Sequence, residues 1–113
     1  MTEFNMERII NYVDINLELI AFDNTSAHVQ CVYLQLYPES TRQNDNHTAT
    51  VVIKRAELDR LKREKNIEVK NWNSINMLDL SSGRQQKWKI NHDSTRFNNP
   101  PEEPMYIFDL IPV

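Results

Sequence analysis

The side chains that can act as nucleophile, base or metal ligand are Cys31 and the histidines His28, His47 and His92. Structural zinc requires four ligands, and no second Cys or His pair accompanies His28 and Cys31. We therefore predict no metal and no cofactor. Catalysis by Cys31 with His47 or His92 would need a reactive thiolate, whereas a cysteine beside Val32 within an apolar strand is expected to be buried and inert.

Carboxylate pairs offer no stronger case for catalysis. Asp14 and Glu18 share a polar strand face, whereas general acid catalysis needs one carboxyl group in an apolar pocket. The only glycine, Gly83, excludes the phosphate-binding loops that need several glycines. We predict that the protein is not an enzyme. A small hydrolase relying on His47 or His92 remains an alternative that no motif supports.

Length and composition indicate one compact domain over residues 1–113. The chain is 40% hydrophobic and 26% charged, which is typical of a globular protein. Cys31 has no cysteine partner, so an internal disulfide is excluded. No stretch approaches the roughly 18 apolar residues of a membrane span, and the N-terminus lacks the apolar run of a signal peptide. We predict a cytoplasmic protein that does not contact membranes.

The elements that would position these residues are mostly strands. The apolar–polar alternation of residues 12–21 predicts a half-buried strand, and residues 28–37 predict a second strand joined to it by a turn at 23–26. The helix formers of residues 55–65 carry two leucines on one stripe and predict a helix, which Asn66 can end in the left-handed conformation. Further strands are predicted at residues 48–53, 67–72, 74–80, 84–90 and 105–111.

Together these elements predict an α+β fold. About seven mainly antiparallel strands would form a sandwich or a partly open barrel, with the helix packed on one side. Residues 81–83 are a plausible hairpin turn. On the helix, Asp59 with Arg63 and Arg60 with Glu64 have the i,i+4 spacing of weak ion pairs on a solvated face. Such a sheet has open edges unless it closes, so a homodimer paired through an edge is an alternative.

The net charge of −3 hides an uneven distribution along the chain. Residues 1–40 carry one base and six acids, residues 41–90 carry eleven bases and six acids, and residues 91–113 carry one base and four acids. These segments either cancel across neighbouring strands or form separate patches. The isoelectric point near 5.6 lacks the strong basic footprint of most nucleic-acid-binding domains.

By elimination, we predict a protein-binding module, and more narrowly a stoichiometric inhibitor or immunity-type protein that masks a functional surface of its partner. This hypothesis rests on what small domains without a catalytic constellation commonly do, and not on a motif. The expected contacts are an acidic strand strip, a long polar loop and two tyrosines. They comprise Asp14, Asn16, Glu18, Tyr12, Tyr33, Asn44, Asp45 and His47.

The alternative is a single-stranded nucleic-acid-binding domain that uses the basic segment 54–89. An exposed tryptophan can stack a base while neighbouring lysines hold phosphates. Trp88 has the strand parity of a buried residue, which leaves Trp72 as the stacking residue. The residues of this alternative are Lys70, Trp72, Arg84, Lys87 and Lys89.

Overall fold

The structure is a computed structural model that describes residues 8–10, 15–36, 49–98 and 103–113, with the backbone alone described for residues 8–10. In these ranges eight strands form one sheet, accompanied by one α-helix and one 3-10 helix. The strands are β1 Arg8–Ile10, β2 Ile15–Ala21, β3 Ser26–Val29, β4 Tyr33–Leu36, β5 Ala49–Lys54, β6 Trp72–Asp79, β7 Gln85–Asn98 and β8 Met105–Pro112. The α-helix, α1, is Arg55–Lys65, and the 3-10 helix is Val69–Asn71.

Neighbouring strands in the sheet are all antiparallel. Their order is β1-β4-β5-β8-β7-β6-β2-β3, so β1 and β3 are the edges. This architecture confirms the prediction of a mainly antiparallel α+β fold with one α-helix among the described residues. Of the two predicted forms, the curled, partly open barrel is the one observed.

The link between β3 and β4 requires the sheet to curl. The two strands are six positions apart in the sheet order, which in a flat sheet would separate them by roughly 29 Å at about 4.8 Å per strand. Only residues 30–32 join Val29 to Tyr33, and a fully extended link of that length spans about 14 Å. The two ends of the sheet must therefore approach each other and leave a narrow seam.

The hydrophobic core fills the concave inner face of this curl. Leu19 of β2, Ile75 of β6 and Trp88 of β7 lie in one cross-strand row and are all buried, as predicted for Trp88. The helix α1 adds Leu58 and Leu61 to the same core. We call the opposite side of the sheet the outer face.

Three predicted strands differ from the structure. Residues 28–37 do not form one strand, because the chain passes from one end of the sheet to the other between β3 and β4. Residues 67–72 are not a strand: most of this segment is irregular or 3-10 helix, and β6 begins only at Trp72. The predicted strand 84–90 extends to Asn98, through polar residues whose sequence shows no strand alternation.

A register shift reverses the faces of β7 along its length. Between the pairs Asn91↔Asp109 and Arg96↔Ile107, β7 advances five residues while β8 advances two. Because side chains alternate sides, these three extra residues exchange the two faces. Even-numbered Trp88 therefore points inward before the shift, whereas Arg96 lies on the outer face after it.

Arg96 ties the two parts of this strand pair together. Its guanidinium donates two hydrogen bonds to the carboxylate of Asp109, at 3.1 and 3.2 Å. Asp109 is buried, and the Thr50 hydroxyl donates a third bond at 3.1 Å to the same carboxylate. A bidentate pair of this kind fixes geometry as well as adding energy.

Local turn and helix predictions are largely confirmed. The helix spans the predicted residues and ends at Asn66 in the left-handed conformation, with φ of 58°. Gly83, with φ of 78°, lies in the β6–β7 turn where positive φ was needed. The Arg60–Glu64 pair forms at 3.0 Å, whereas Asp59 pairs with Arg55 instead of Arg63.

We expect the substitution Arg96→Ala to lower the free energy of unfolding by about 1 to 2 kcal/mol, because the buried Asp109 carboxylate loses a charge-assisted bidentate partner. The exposed Lys89→Ala on the same strand is the control and should change the free energy of unfolding by less than about 0.5 kcal/mol. Chemical denaturation of both variants measures the difference. Equal stability of the two variants would contradict a stabilising role for the pair.

Candidate functional site

The outer face brings residues from both predicted binding sets onto one surface. Strand register aligns Glu18 of β2 with Asn76 of β6 and Lys87 of β7. The next row contains Ile20 and Lys89, separated by Ser74 of β6. We call this surface the outer patch, and its members are Asn16, Glu18, Ile20, His28, Asn76, Leu78, Lys87, Lys89 and Ile111.

The outer patch carries charges of both signs. Glu18 and Lys87 are separated by one strand, with the uncharged Asn76 between them. His28 of the edge strand β3 is the partner of Glu18 on its other side. A residue of the acidic segment 1–40 therefore lies beside residues of the basic segment 41–90. On this face the two segments do not form separate charged patches.

Aliphatic side chains lie in the rows on both sides of Glu18 and Lys87. Ile20, Leu78 and Ile111 are half-buried, and Ile111 is the register partner of Lys89. A shallow depression of about 150 Å³ lies among Asn16, Leu78 and their polar neighbours. Partly exposed aliphatic side chains beside a row of charged and polar side chains resemble the composition of a protein interface more than that of a catalytic pocket.

The other predicted protein-binding residues are not all part of this surface. Tyr33 is half-buried on β4, which does not pair with β2, and it is not part of the outer patch. The remaining predicted contacts lie outside the described residues. They are Tyr12, Asp14, Asn44, Asp45 and His47.

The nucleic-acid residues predicted from the sequence do not form one site. Trp72 is fully buried, so its ring offers no face to a base, and its indole nitrogen has no hydrogen-bond partner in the described structure. The prediction of Trp72 as the stacking residue is therefore wrong, because its side chain packs in the hydrophobic core. Lys70 is exposed on the 3-10 helix, and Arg84 lies in the β6–β7 turn. Of the predicted basic residues, only Lys87 and Lys89 lie together, on the outer patch.

The residues considered for catalysis occupy separate structural positions. His92 places Nε2 2.6 Å from the backbone carbonyl oxygen of Trp72, and its ring stacks against Phe22. Cys31 is buried, as predicted, in the link between β3 and β4, whereas His28 is exposed on the outer face. Among the described residues, no cluster of His, Cys, Asp and Glu is suited to hold a metal ion.

At the seam, two polar side chains of α1 contact the edge strand β3 and the residue that follows it, and the sequence does not reveal this contact. Glu57 accepts a 3.1 Å hydrogen bond from the backbone N–H of Gln30. Arg60 reaches the carbonyl oxygen of His28 at 3.4 Å and pairs with Glu57 at 3.1 Å. We call Glu57 and Arg60 the seam latch. The two side chains bind backbone groups that an edge strand otherwise offers to another strand.

A cavity of about 520 Å³ adjoins the seam latch, beside Cys31. Burial opposes ionisation of Glu57, but hydrogen bonds from Arg60 and from the Gln30 N–H, together with the charges of Arg60 and Lys54, outweigh it and lower the pKa of Glu57.

The helix spacing predicts the Arg60–Glu64 pair. It carries no signal for the contacts of α1 with β3, because those depend on the curl of the sheet.

Comparisons with protein-family models, with curated proteins and with solved structures give no match to this chain. Within the described ranges, no helix is long and apolar enough to cross a membrane. The function must therefore be inferred from the surfaces themselves.

Burial raises the pKa of the Cys31 thiol to about 11, so we expect it to react slowly. At pH 8 only about one molecule in a thousand would carry the thiolate, which is the reactive form. Labelling of the native protein by a thiol reagent should be slow and should become rapid after unfolding in denaturant. Rapid stoichiometric labelling of the native protein would contradict the buried position.

We expect the seam latch to make stability depend on pH. Because folding lowers the pKa of Glu57 below its ordinary value of 4.5, its contribution is present above that value and is lost as pH falls through the lower, folded-state pKa. The difference in unfolding free energy between wild type and Glu57→Gln should shrink as pH is lowered through this window. Glu68→Gln removes an exposed carboxylate and is the control. A difference for Glu57→Gln that does not vary with pH would contradict the linkage.

Proposed function

We propose that the protein is a protein-binding module whose outer patch docks on a partner protein and masks a functional surface of that partner. The observation that carries this proposal is the composition of the patch: a polar row that contains Glu18 and Lys87, with half-buried aliphatic side chains in the rows on both sides of it. Protein interfaces combine apolar area with polar and charged groups in this way. Charges of both signs fix the orientation of a partner and disfavour surfaces with a different charge pattern.

The sheet itself favours this use of its outer face. The helix and the core cover the inner face, so the described outer rows remain available over β2, β6 and β7. A rigid antiparallel sheet holds its side chains at fixed spacing, which limits the entropy lost on binding. The outer patch carries charges of both signs, which suits a protein partner better than a phosphate backbone.

The partner in this proposal is a different protein in the cytoplasm, and the mode of action is stoichiometric inhibition. The lone, buried Cys31 suits a reducing compartment. A second copy of the chain is the competing partner. Light scattering of the purified protein separates these two cases, because only self-association through the patch would make the mass depend on Glu18 and Lys87.

The test begins with a tagged pull-down from nuclease-treated native lysate, followed by mass spectrometry, and continues with the recovered partner. We expect Glu18→Lys and Lys87→Glu each to weaken binding by about tenfold, which corresponds to about 1.4 kcal/mol. Glu68→Lys and Lys65→Glu are matched controls, since they reverse exposed charges near α1, away from the outer patch. Calorimetric titration of each variant measures the affinity.

Unchanged affinity in both patch variants, or equal losses in the patch and control variants, would overturn the assignment of the outer patch. Thermal unfolding of the four variants separates loss of binding from loss of structure. All four positions are partly or fully exposed, so the fold should tolerate these substitutions.

A further inference from the structure

A second surface lies on the helix side of the sheet. A groove of about 560 Å³ runs between α1, the 3-10 helix and the paired ends of β7 and β8. Phe97 and Tyr106 line it from the sheet, and Lys62 and Lys70 line it from the helices. The register shift in β7 creates this arrangement, because it turns Phe97 to the same side as Tyr106, its register partner.

The aromatic side chains form a ladder from the core to solvent. Phe108 is fully buried, and its ring stacks on Tyr106 with centroids 5.9 Å apart and an interplanar angle of 13°. Tyr106 in turn contacts Phe97, with centroids 4.9 Å apart. Phe97 is 45% exposed although its inner side is supported by this ladder. A supported aromatic ring that faces a groove is a platform on which a planar ring can stack.

Unpaired cations surround this platform. Lys62 and Lys70 line the groove, and the last turn of α1 adds two further basic residues, Arg63 and Lys65. In the described part of the chain, none of these four forms an ion pair with a carboxylate. Of the two carboxylates among the described residues that line the groove, Asp59 is paired with Arg55 at 3.4 Å and Glu68 is unpaired. The described lining therefore has three cations, Arg55, Lys62 and Lys70, against two acids, a net charge of +1.

We propose that this groove binds a single strand of nucleic acid, with one base stacked on Phe97 and the flanking phosphates held by Lys62 and Lys70. A single strand matches both features of the groove, because its bases are free to stack and its backbone carries the complementary charge. This function goes beyond protein binding by the outer patch and uses the other side of the sheet.

The site differs from the nucleic-acid surface expected from the sequence. Lys70 belongs to both, but Phe97 takes the stacking role that the buried Trp72 cannot fill. Lys87 and Lys89 lie on the outer patch and face away from the groove. These two lysines therefore provide a matched control for the charge of the groove.

The first test measures binding of short labelled oligo(dT) and oligo(U) by fluorescence anisotropy at low salt. We expect a dissociation constant within about 10⁻⁴ to 10⁻⁶ M, the range of sequence-independent binding. Phe97→Ala should weaken binding by about tenfold, since it removes the stacking platform. Phe22→Ala is the control: Phe22 is another exposed aromatic residue, at 62% exposure, and it lies outside the groove.

The second test is the salt dependence of the same binding. Substituting both Lys62→Gln and Lys70→Gln should reduce the slope of log affinity against log salt by roughly 1.4, at about 0.7 for each phosphate that the protein no longer neutralises. The double variant Lys87→Gln with Lys89→Gln should leave the slope unchanged. Unfolding temperatures verify that each variant is folded.

Three results would overturn the proposal. The first is that neither oligo(dT) nor oligo(U) binds at low salt. The second is binding that Phe97→Ala leaves intact while the lysine variants weaken it, which indicates association by charge alone. The third is equal loss in the groove and outer-patch variants. The first two results leave protein binding by the outer patch untouched, because Glu18 and Lys87 take no part in the groove.

Discussion

The three-residue link between β3 and β4 is the constraint on which the rest of the structure depends. It joins strands that lie six positions apart in the sheet order, so the sheet must curl until its ends nearly meet. The curl gives the sheet an inner face deep enough to enclose both tryptophans. It also leaves a seam, where Arg60 of α1 binds a backbone carbonyl of β3 and Glu57 binds the backbone N–H of Gln30, just after β3. The helix thus covers the core and protects an open edge at the same time.

The register shift in β7 then divides one long strand between two tasks. Before the shift, inward-pointing Trp88 and Ile90 complete the core, while Lys87 and Lys89 point to the outer patch. After the shift the parity is reversed, and Phe97 points to the helix side. The polar residues of the shift satisfy one another locally: the hydroxyls of Ser94 and Thr95 both donate to the carbonyl oxygen of Asn91. A bulge of this kind re-aims side chains without ending the strand.

The sequence predicts what depends on local periodicity and turn chemistry. The helix 55–65 and the β2–β3 hairpin follow from the residues themselves, as does the left-handed Asn66. The sequence does not predict features that depend on how the chain passes between distant strands of the sheet. Strand 28–37 looks continuous because its apolar residues pack at both ends of a curled sheet. The second half of β7 has no alternation because its polar residues form the shift, and so neither Phe97 nor the groove could be anticipated.

The placement of the charges also depends on this path, and it distinguishes the two surfaces. The basic residues of segment 41–90 are divided by the sheet. Those on β7 lie across β6 from Glu18, the one acidic residue of β2, so the outer patch carries both signs. Those on α1 and the 3-10 helix lie beside Phe97 and one unpaired carboxylate, so the described lining of the groove has a net charge of +1. Charges of both signs on the outer patch orient a protein partner. Cations beside the exposed ring of Phe97 in the groove attract a polyanion whose bases are free to stack. An acidic chain can therefore carry a cationic binding groove, because the relevant charge is local to a face.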